Sequence, residues 1–498
     1  MSRAWRTTWL LLAFMLVNFA DKAVLGLAGP EIRADFGITR QEFGTAQSAF
    51  FALFSLAALG VSALTRRVRT TTLLLVLALL WSVAQLPMLW GAAGFGTLLA
   101  TRVLLGAAEG PAAPVAMHHV HGWFPQRERS LPTAVLLVGA AAGVAVAAPV
   151  LTWVITHWGW RWSFGAVGLA GLLWAVCWRL WGADGPLAPA VTRKPHEAAE
   201  RAPGARNPSK AAEQTPDARN PSKAAEQTPD ARNPSKAAEQ TPDARNPSEA
   251  AEQTPDARKP YEAAGQTSMP DTVPLRAILL SGTFLTAAFG SFAAYWSMST
   301  MLTWAPDYLE SVVGWDLHQA GAMVGLGALA NGAVLLGHGL IAQRSAHKDT
   351  PRRLPPGAGA GLLVTVAGCA TALYGTTDTL AVKVPMMLGP MALAMVMLTV
   401  ASTACARIAP PTQRGVVLGA LTFVYALGGI LSPLVLGGMV DRARTVSAGY
   451  EEGWLLTAGL LVTAGVLATL FCRPETTARR LGLPEPTAGS TPQVPVAH

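Results

Sequence analysis

The chain has 498 residues, of which 51% are hydrophobic and 14% are charged. Soluble proteins carry about 25% charged residues, so this composition indicates lipid rather than water as the solvent. The net charge of +8 does not indicate nucleic-acid binding, because most basic residues lie in short loops between apolar runs, where they specify orientation.

Six apolar runs long enough to cross a bilayer precede the middle of the chain. They cover residues 9–28, 44–64, 71–90, 96–120, 132–154 and 164–182. Arg3 and Arg6 precede the first run, and such basic residues also precede the apolar region of a signal peptide. The run lacks a suitable small-residue cleavage pattern and many spans follow it, so we interpret it as a retained first membrane helix.

Four ionisable residues lie inside these spans. Asp21 and Lys22 belong to the first span, and Arg102 and Glu109 belong to the fourth. A charge at such depth costs at least about 2.5–3.5 kcal/mol, so each should face another charge or a wet cavity. Because Arg102 and Glu109 are seven residues apart, nearly two helical turns, they share one face of their helix.

We predict that Glu109, and secondarily Asp21, carry protons. Burial favours the neutral carboxyl and a nearby cation favours the charged one, so an arriving substrate can change the balance. Lys22 and Arg102 are predicted to hold an anionic substrate. The alternative is a pair of structural salt bridges that fix helix packing.

His118, His119 and His121 end the fourth span. Metal binding or pH sensing is one interpretation, but the lack of a nearby acid or thiol favours ordinary polar helix-end residues. The four cysteines lie within or at the ends of apolar runs without CxxC spacing, so we predict no metal site, disulfide framework or cofactor.

A 13-residue unit, RNPSKAAEQTPDA, recurs between the halves of the chain, with clean copies starting at Arg206, Arg219 and Arg232. Each copy is charge-neutral and has no aromatic or branched aliphatic residue. It cannot bury enough apolar surface to form a solenoid, so we predict a disordered spacer. A docking site for a soluble partner is the alternative.

Six further spans follow the repeats, at residues 276–301, 318–341, 357–375, 380–404, 415–440 and 453–472. We expect no well-buried acid or base in them. Tyr295, Ser299 and Asn331 are candidates to line the cavity, although single polar residues in membrane helices more often join helices to each other. Charge and coupling are therefore predicted for the first half and neutral recognition for the second.

Loop charges predict the orientation. The loops on the side of the N-terminus, such as those holding Arg66, Arg67, Arg352 and Arg353, are richer in arginine and lysine than the opposite loops. Both termini and the spacer are therefore predicted to be cytoplasmic, in a bacterial-type inner membrane.

Several stretches resemble the anion:cation symporter family of the major facilitator superfamily. They are FADKAV (19–24), RVLLGAAEGPAAP (102–114), WFPQRERS (123–130), AAPV (147–150), GWRWSF (159–164), WAPDYL (304–309), RGVVLG (414–419) and GGILSPLVLGG (428–438). The resemblance implies alternating access and proton-driven uptake of sugar acids or small carboxylates. It also implies that Glu109 and Asp21 carry protons and that Lys22 binds carboxylate, while the family's fourth-span arginine matches Arg102.

The chain departs from that family in four places. Lys22 replaces an arginine, which removes bidentate carboxylate recognition. Phe54 stands where relatives often have a substrate-facing tyrosine, Thr65 replaces the acid of the loop after the second span, and the fifth span lacks an amide. The changes at Lys22, Phe54 and the fifth span make an aromatic or short-chain carboxylate a possible substrate. The change at Thr65 removes the acid that the family uses to close the cytoplasmic gate, so this chain should close that gate differently.

Together these observations predict an all-α membrane protein of twelve helices in two six-helix bundles. The bundles are expected at 1–185 and 274–480, with a disordered cytoplasmic linker at 186–273 and a disordered tail at 481–498. We predict a monomeric, proton-coupled symporter of a small organic anion. An exporter or antiporter is the alternative within that class, and a membrane-embedded sensor is a disfavoured one. No catalytic motif predicts an enzyme.

Overall fold

The computed structural model describes residues 2–64, 67–125, 128–187, 272–346 and 355–484. Within these ranges every regular element is helical. The predicted linker lies almost wholly outside the described residues, as do the tail from residue 485 and Thr65 of the loop after the second span. The predicted domain boundaries therefore stay predictions.

Over the described residues, eight α-helices form the N-terminal half. Their bounds are α1 Arg3–Leu27, α2 Gly29–Phe36, α3 Arg40–Leu64, α4 Thr70–Gln85, α5 Phe95–Glu109, α6 Ala112–His121, α7 Ser130–Trp158 and α8 Trp160–Trp181. A 3-10 turn at Leu86–Leu89 extends α4. The short helix α2 lies between the first two spans, where Gly37 ends it in the left-handed conformation that glycine favours.

The C-terminal half contributes nine more. Their bounds are α9 Leu275–Leu279, α10 Gly282–Ser311, α11 Leu317–Ala346, α12 Pro356–Thr376, α13 Leu380–Leu388, α14 Val396–Arg407, α15 Arg414–Arg442, α16 Val446–Phe471 and α17 Pro474–Arg480. A 3-10 segment at Pro390–Met395 joins α13 to α14.

The predicted fold class is confirmed. In the described part of the chain, nine helical segments are long and apolar enough to cross a membrane. The remaining predicted spans are α3, the pair α5–α6 and α10. The fourth span is divided because Pro111 follows Gly110, and proline removes a backbone donor from the helical ladder.

Backbone glycines let helices approach closely where the two halves meet. A methyl group on Gly26 of α1 would lie 2.1 Å from the Leu302 carbonyl oxygen of α10, and one on Gly44 of α3 would lie 2.3 Å from that of Pro433 in α15. Small residues are what allow backbones to pack this tightly in a membrane. These contacts lie toward the end of the bundle that carries residues 26–44, which we call the Asp307 end.

Candidate functional site

Five buried polar side chains meet inside the N-terminal half. We call Asp21, Lys22, Gln85, Arg102 and Glu109 the Lys22 cluster. Asp21 and Lys22 come from α1, Gln85 is the last residue of α4, and Arg102 and Glu109 lie on one face of α5. All five are buried. The structure thus brings together the four ionisable residues singled out from the sequence.

Close packing of α5 against α3 positions Glu109. A methyl group on Gly106 would lie 2.2 Å from the Phe50 carbonyl oxygen, and one on Gly110 would lie 2.0 Å from that of Phe54. Only glycine permits this separation of the two backbones. The end of α5 is therefore pressed onto α3, with Glu109 directed at Lys22.

Lys22 forms a buried ion pair with Glu109. Its ammonium group also donates to the Asn18 side-chain oxygen at 2.8 Å and to the Asn18 backbone oxygen at 3.1 Å. An ammonium group has three donors, and all three are in use here. A new anion therefore has to displace an existing partner of Lys22.

Aromatic rings surround the same ammonium group. The Lys22 nitrogen lies 4.7 Å from the ring centre of Phe19, 5.5 Å from that of Phe54 and 6.0 Å from that of Phe50. These distances permit cation–π attraction, which is strongest where water is excluded. Phe54 thus contacts the cluster through its ring and presents no hydroxyl there.

Gln85 connects the other two charged residues. Its amide nitrogen donates to Asp21, and its amide oxygen accepts from the Arg102 guanidinium at 2.9 Å. The guanidinium also lies 5.1 Å from the ring centre of Phe164. Among the described residues Arg102 forms no direct ion pair with a carboxylate, so the alternative of two structural salt bridges reduces to one, Lys22–Glu109.

Several polar atoms of this cluster have no hydrogen-bond partner within the described ranges. They include one carboxyl oxygen each of Asp21 and Glu109, and the Arg102 Nε. The two carboxyl groups also repel one another when both are ionised, and they lie close enough to share a hydrogen bond when one of them is protonated. Buried polar groups are usually paired, so open atoms on two acids and an arginine make this cluster a candidate site for the exchange of protons or ligands.

The predicted residues of the second half lie apart from these charges. Tyr295 of α10 packs on Phe51 and on Tyr425, with ring centres 5.8 Å and 5.0 Å away. The Ser299 hydroxyl donates to the Gly429 backbone oxygen at 3.1 Å.

Rings nevertheless connect the two halves. Phe51 contacts Phe50 at 5.2 Å between ring centres, and Phe50 lies beside Lys22. A row of aromatic side chains therefore runs from Lys22 to Tyr295.

Asn331 of α11 is half-buried and donates to the Gly327 backbone oxygen of its own helix at 3.0 Å. No described contact brings it to the Lys22 cluster.

A second charge cluster, built around the buried carboxylate of Asp307, joins the halves at the Asp307 end. Asp307 of α10 accepts from Arg33 at 2.5 Å and from Arg40 at 2.8 Å, both in the N-terminal half. Tyr450 of α16 also donates to it. We call Arg33, Arg40, Asp307 and Tyr450 the Asp307 cluster.

Asp441 adds a further link between the halves. Its carboxylate accepts from the backbone nitrogen of Gln41 at 2.7 Å and from that of Arg40 at 3.2 Å, at the start of α3. A helix N-terminus has unpaired N–H groups and a partial positive charge, so a carboxylate from the other half caps it well.

Two acids face this interface outside the predicted spans. Glu31 lies in α2, and Glu310 lies beyond the predicted span 276–301. Burial raises the pKa of Glu310 to about 7. The negative charges of Glu31, Asp307 and Asp316 also raise this pKa, whereas the positive charge of Arg33 lowers it. Burial also raises the pKa of Glu31.

The expectation that the second-half spans hold no well-buried acid or base is wrong. Lys383 of α13, inside the predicted span 380–404, is buried and donates to Tyr308 and, at 3.0 Å, to the Tyr374 backbone oxygen. Asp307, which lies beyond the predicted span 276–301, is buried as well. Both residues lie where a charge in the sequence looks like a loop charge.

Two of the three histidines have hydrogen-bond partners, and the expectation that no acid lies nearby is wrong, because the His119 Nδ1 is 3.8 Å from the Asp184 carboxylate. His119 is buried and bonds to the Thr70 hydroxyl at 2.7 Å, and His121 bonds to that of Thr133 at 2.9 Å. Over the residues that the structure covers, no group of three potential metal ligands is found.

Sequence reasoning missed two members of the site, Asn18 and Gln85. Each is a single amide in an apolar span, a pattern that usually means contact between helices. Only Asn18 could have been predicted from its position, because it is four residues before Lys22 and therefore lies on the same helix face.

A sequence model of the family described as the Major Facilitator Superfamily matches residues 10–433. The chain is 24% identical over 489 residues to the hexuronate transporter of Bacillus subtilis (strain 168), covering 97% of this chain and 96% of that protein. It is 30% identical over 176 residues to a D-galactonate transporter of Escherichia coli O6:H1, covering 35% of this chain and 41% of that one.

A solved structure shares the fold. It is a bacterial homologue of the human lysosomal transporter Spinster, in an inward-facing and unoccupied conformation. It aligns with a TM-score of 0.64 and 17% identity, over 97% of this chain and 98% of that one.

Proposed function

Because this chain belongs to the Major Facilitator Superfamily, we propose that it is a proton-coupled symporter of a small organic anion, a sugar acid or another carboxylate. Its family membership confirms the prediction that it is a membrane transporter rather than an enzyme. The proton coupling, the substrate and the residue roles below are our proposals.

The occupied donors of Lys22 are the observation that carries the proposal. In the described arrangement its ammonium group is shared by Glu109 and Asn18. A carboxylate substrate can pair with the Lys22 ammonium group only if Glu109 releases that group. This release has a low energetic cost only when Glu109 binds a proton, because an unpaired carboxylate in a membrane interior is strongly disfavoured. Substrate binding and proton binding are then the same event.

The cycle follows from this exchange. A proton on Glu109 frees Lys22, the substrate carboxylate takes the vacated position, and the neutralised cluster crosses between the two access states. Loss of the proton on the other side restores the Lys22–Glu109 pair and expels the anion. Asp21, with one unpartnered oxygen beside Glu109, is the second proton carrier. Arg102 supplies the positive potential that keeps an anion in the cavity.

The names of the relatives support hexuronate- or galactonate-like acids as substrates. The rings beside Lys22 and Tyr295 suit a substrate with an apolar face, which both a sugar ring and an aromatic acid possess. Phe54, Tyr295 and Ser299 are proposed to line the cavity. Asn331 keeps this proposed role only if its bond to Gly327 is exchanged for the substrate.

We further propose the orientation that the loop charges predict, with both termini cytoplasmic and the domains bounded as in the sequence. The Asp307 end then faces outward. In the described arrangement the Asp307 cluster closes this outer end, and breaking it admits substrate from outside.

Reconstituted proteoliposomes test the proposal. Uptake of labelled galacturonate, galactonate and benzoate is measured with the exterior more acidic, while an internal pH dye reports proton entry. We expect one of these acids to accumulate together with internal acidification. Uptake that is indifferent to the pH gradient would overturn the proton coupling, and accumulation only with the gradient reversed would establish the antiporter.

A further inference from the structure

We propose that Gln85 is a positioning residue that sets the pH at which the Asp21–Glu109 acid pair takes up its proton; this inference rests on the proposed proton coupling. Gln85 contacts both Asp21 and Arg102 and is fully buried.

The amide carries hydrogen bonds between two charged groups without adding charge. It donates to one oxygen of Asp21 and accepts from Arg102, so the guanidinium and the carboxylate do not pair directly within the described residues. A direct, buried arginine–carboxylate pair would strongly favour the ionised acid. Interposing an amide weakens that bias. Asp21 keeps an unpartnered oxygen, adjacent to Glu109, that can accept a proton.

The surrounding structure holds the amide in place. α4 ends at Gln85 and continues as a 3-10 turn with Pro87 at its start. On the facing helix α8, a methyl group on Gly168 would lie 3.3 Å from the Gln85 Cβ, which leaves no free space on that side. Phe164 of α8 holds the Arg102 guanidinium from the same direction. Gln85 and Arg102 are therefore fixed against α8.

The charged groups that face Asp21 set the expected signs. They are Lys22 from its own helix and Arg102 and Glu109 from α5. Gln85→Glu keeps the shape but adds a negative charge beside Asp21 and pairs directly with Arg102. Protons then bind more readily, and the pH midpoint moves upward. Gln85→Leu removes the amide N–H that donates to Asp21, so the ionised carboxylate loses a stabilising hydrogen bond and the midpoint also moves upward. A charge change at this distance shifts a titration by about one pH unit or more.

The experiment measures the pH midpoint of initial uptake rates in proteoliposomes for wild type, Gln85→Glu and Gln85→Leu. The control is Gln47→Leu, a buried glutamine of α3 that has no hydrogen bond to the cluster among the described residues. We expect an upward shift for both Gln85 variants, larger for Gln85→Glu because it also adds a negative charge, and none for the control. Lower maximal rates with an unchanged midpoint would mean that Gln85 is only structural, and this would overturn the inference.

A second measurement separates this inference from the transport proposal. The infrared band of protonated carboxyl groups is titrated in the purified protein, with Asp21→Asn identifying the contribution of Asp21. This band reports proton binding even if wild-type uptake proves independent of pH, which would refute the coupling alone. If Gln85→Leu does not fold, the isosteric Gln85→Glu decides the question. An upward shift of its band midpoint supports the inference, and an unchanged or lower midpoint overturns it.

Discussion

The two charge clusters differ in where their members come from and in how completely their acids are paired. The Lys22 cluster lies within one half of the chain and leaves an oxygen on each of its acids without a partner in the described structure. The Asp307 cluster joins both halves, and each oxygen of its carboxylate accepts from a cation. A cluster whose acids keep open oxygens within one half suits binding and proton exchange. A carboxylate paired at both oxygens across the halves suits holding one conformation, because those ion pairs must break whenever the halves separate.

Glu109→Gln should have the largest effect, because it removes the proposed proton site while keeping the shape. Lys22 loses its counter-ion and binds substrate at any pH, so we expect complete loss of pH-driven accumulation while substrate exchange persists. Uptake and counterflow in proteoliposomes measure the two activities.

The control for this change is Glu452→Gln, an exposed acid of α16. If Glu109→Gln still accumulated substrate like the wild type, the Lys22 cluster would not be the coupling site, and its contrast with the Asp307 cluster would collapse.

Asp307→Asn should have the next largest effect, on conformation rather than on coupling. Removing one partner of a buried ion pair costs about 3 kcal/mol or more, which is on the order of a hundredfold in the ratio of the two states. We expect the Asp307 end to open. Electron–electron resonance distances between spin labels at Ala34 and His318, with the four native cysteines replaced by alanine, measure the opening.

Asp35→Asn is the matched control for Asp307. Asp35 pairs with Arg161 at 2.8 Å at the same end of the molecule, but both residues belong to the N-terminal half. Loss of this pair should leave the distances unchanged. Equal opening in both variants would show that general loss of charge, rather than the link between halves, controls the conformation.

Glu310 should make the Asp307 end sensitive to pH. In the described arrangement its pKa is raised from the ordinary 4.5 to about 7. A group whose pKa is raised in one state stabilises that state while it is protonated. The closed end is therefore favoured below about pH 4.5, and this contribution is lost as the pH rises through about 7.

In the wild type, the distance between the spin labels at positions 34 and 318 should increase as the pH rises through about 7. In Glu310→Gln this distance should not change with pH. A titration that persisted in the variant would assign the pH dependence to another group, with Glu31, whose pKa is also raised, as the first alternative.

Deletion of residues 206–257 should have the smallest effect. The residues that define both clusters lie outside the repeats in the sequence, and the composition of the repeats predicts a spacer. We expect transport close to that of the wild type in the proteoliposome assay. A well-expressed deletion that did not transport would give the repeats a role beyond connecting the halves.

Much of the candidate site was predictable because ionisable residues are rare in membrane spans. Asp21, Lys22, Arg102 and Glu109 stand out in apolar sequence, and the spacing of the last two put them on one helix face. Gln85 and Asn18 did not stand out, since a lone amide in a span is compatible with several roles. Asp307 and Lys383 were overlooked because span ends tolerate charge.

The sequence by itself determined the solvent, the number of spans, the fold class and the charged residues that need a partner. Those features follow from composition and from local periodicity, which each segment carries alone. Only the tertiary structure decided the pairing: Glu109 with Lys22, Gln85 between Asp21 and Arg102, and Asp307 with Arg33 and Arg40. Such contacts join residues up to hundreds of positions apart, and they depend on helix packing that no single segment specifies.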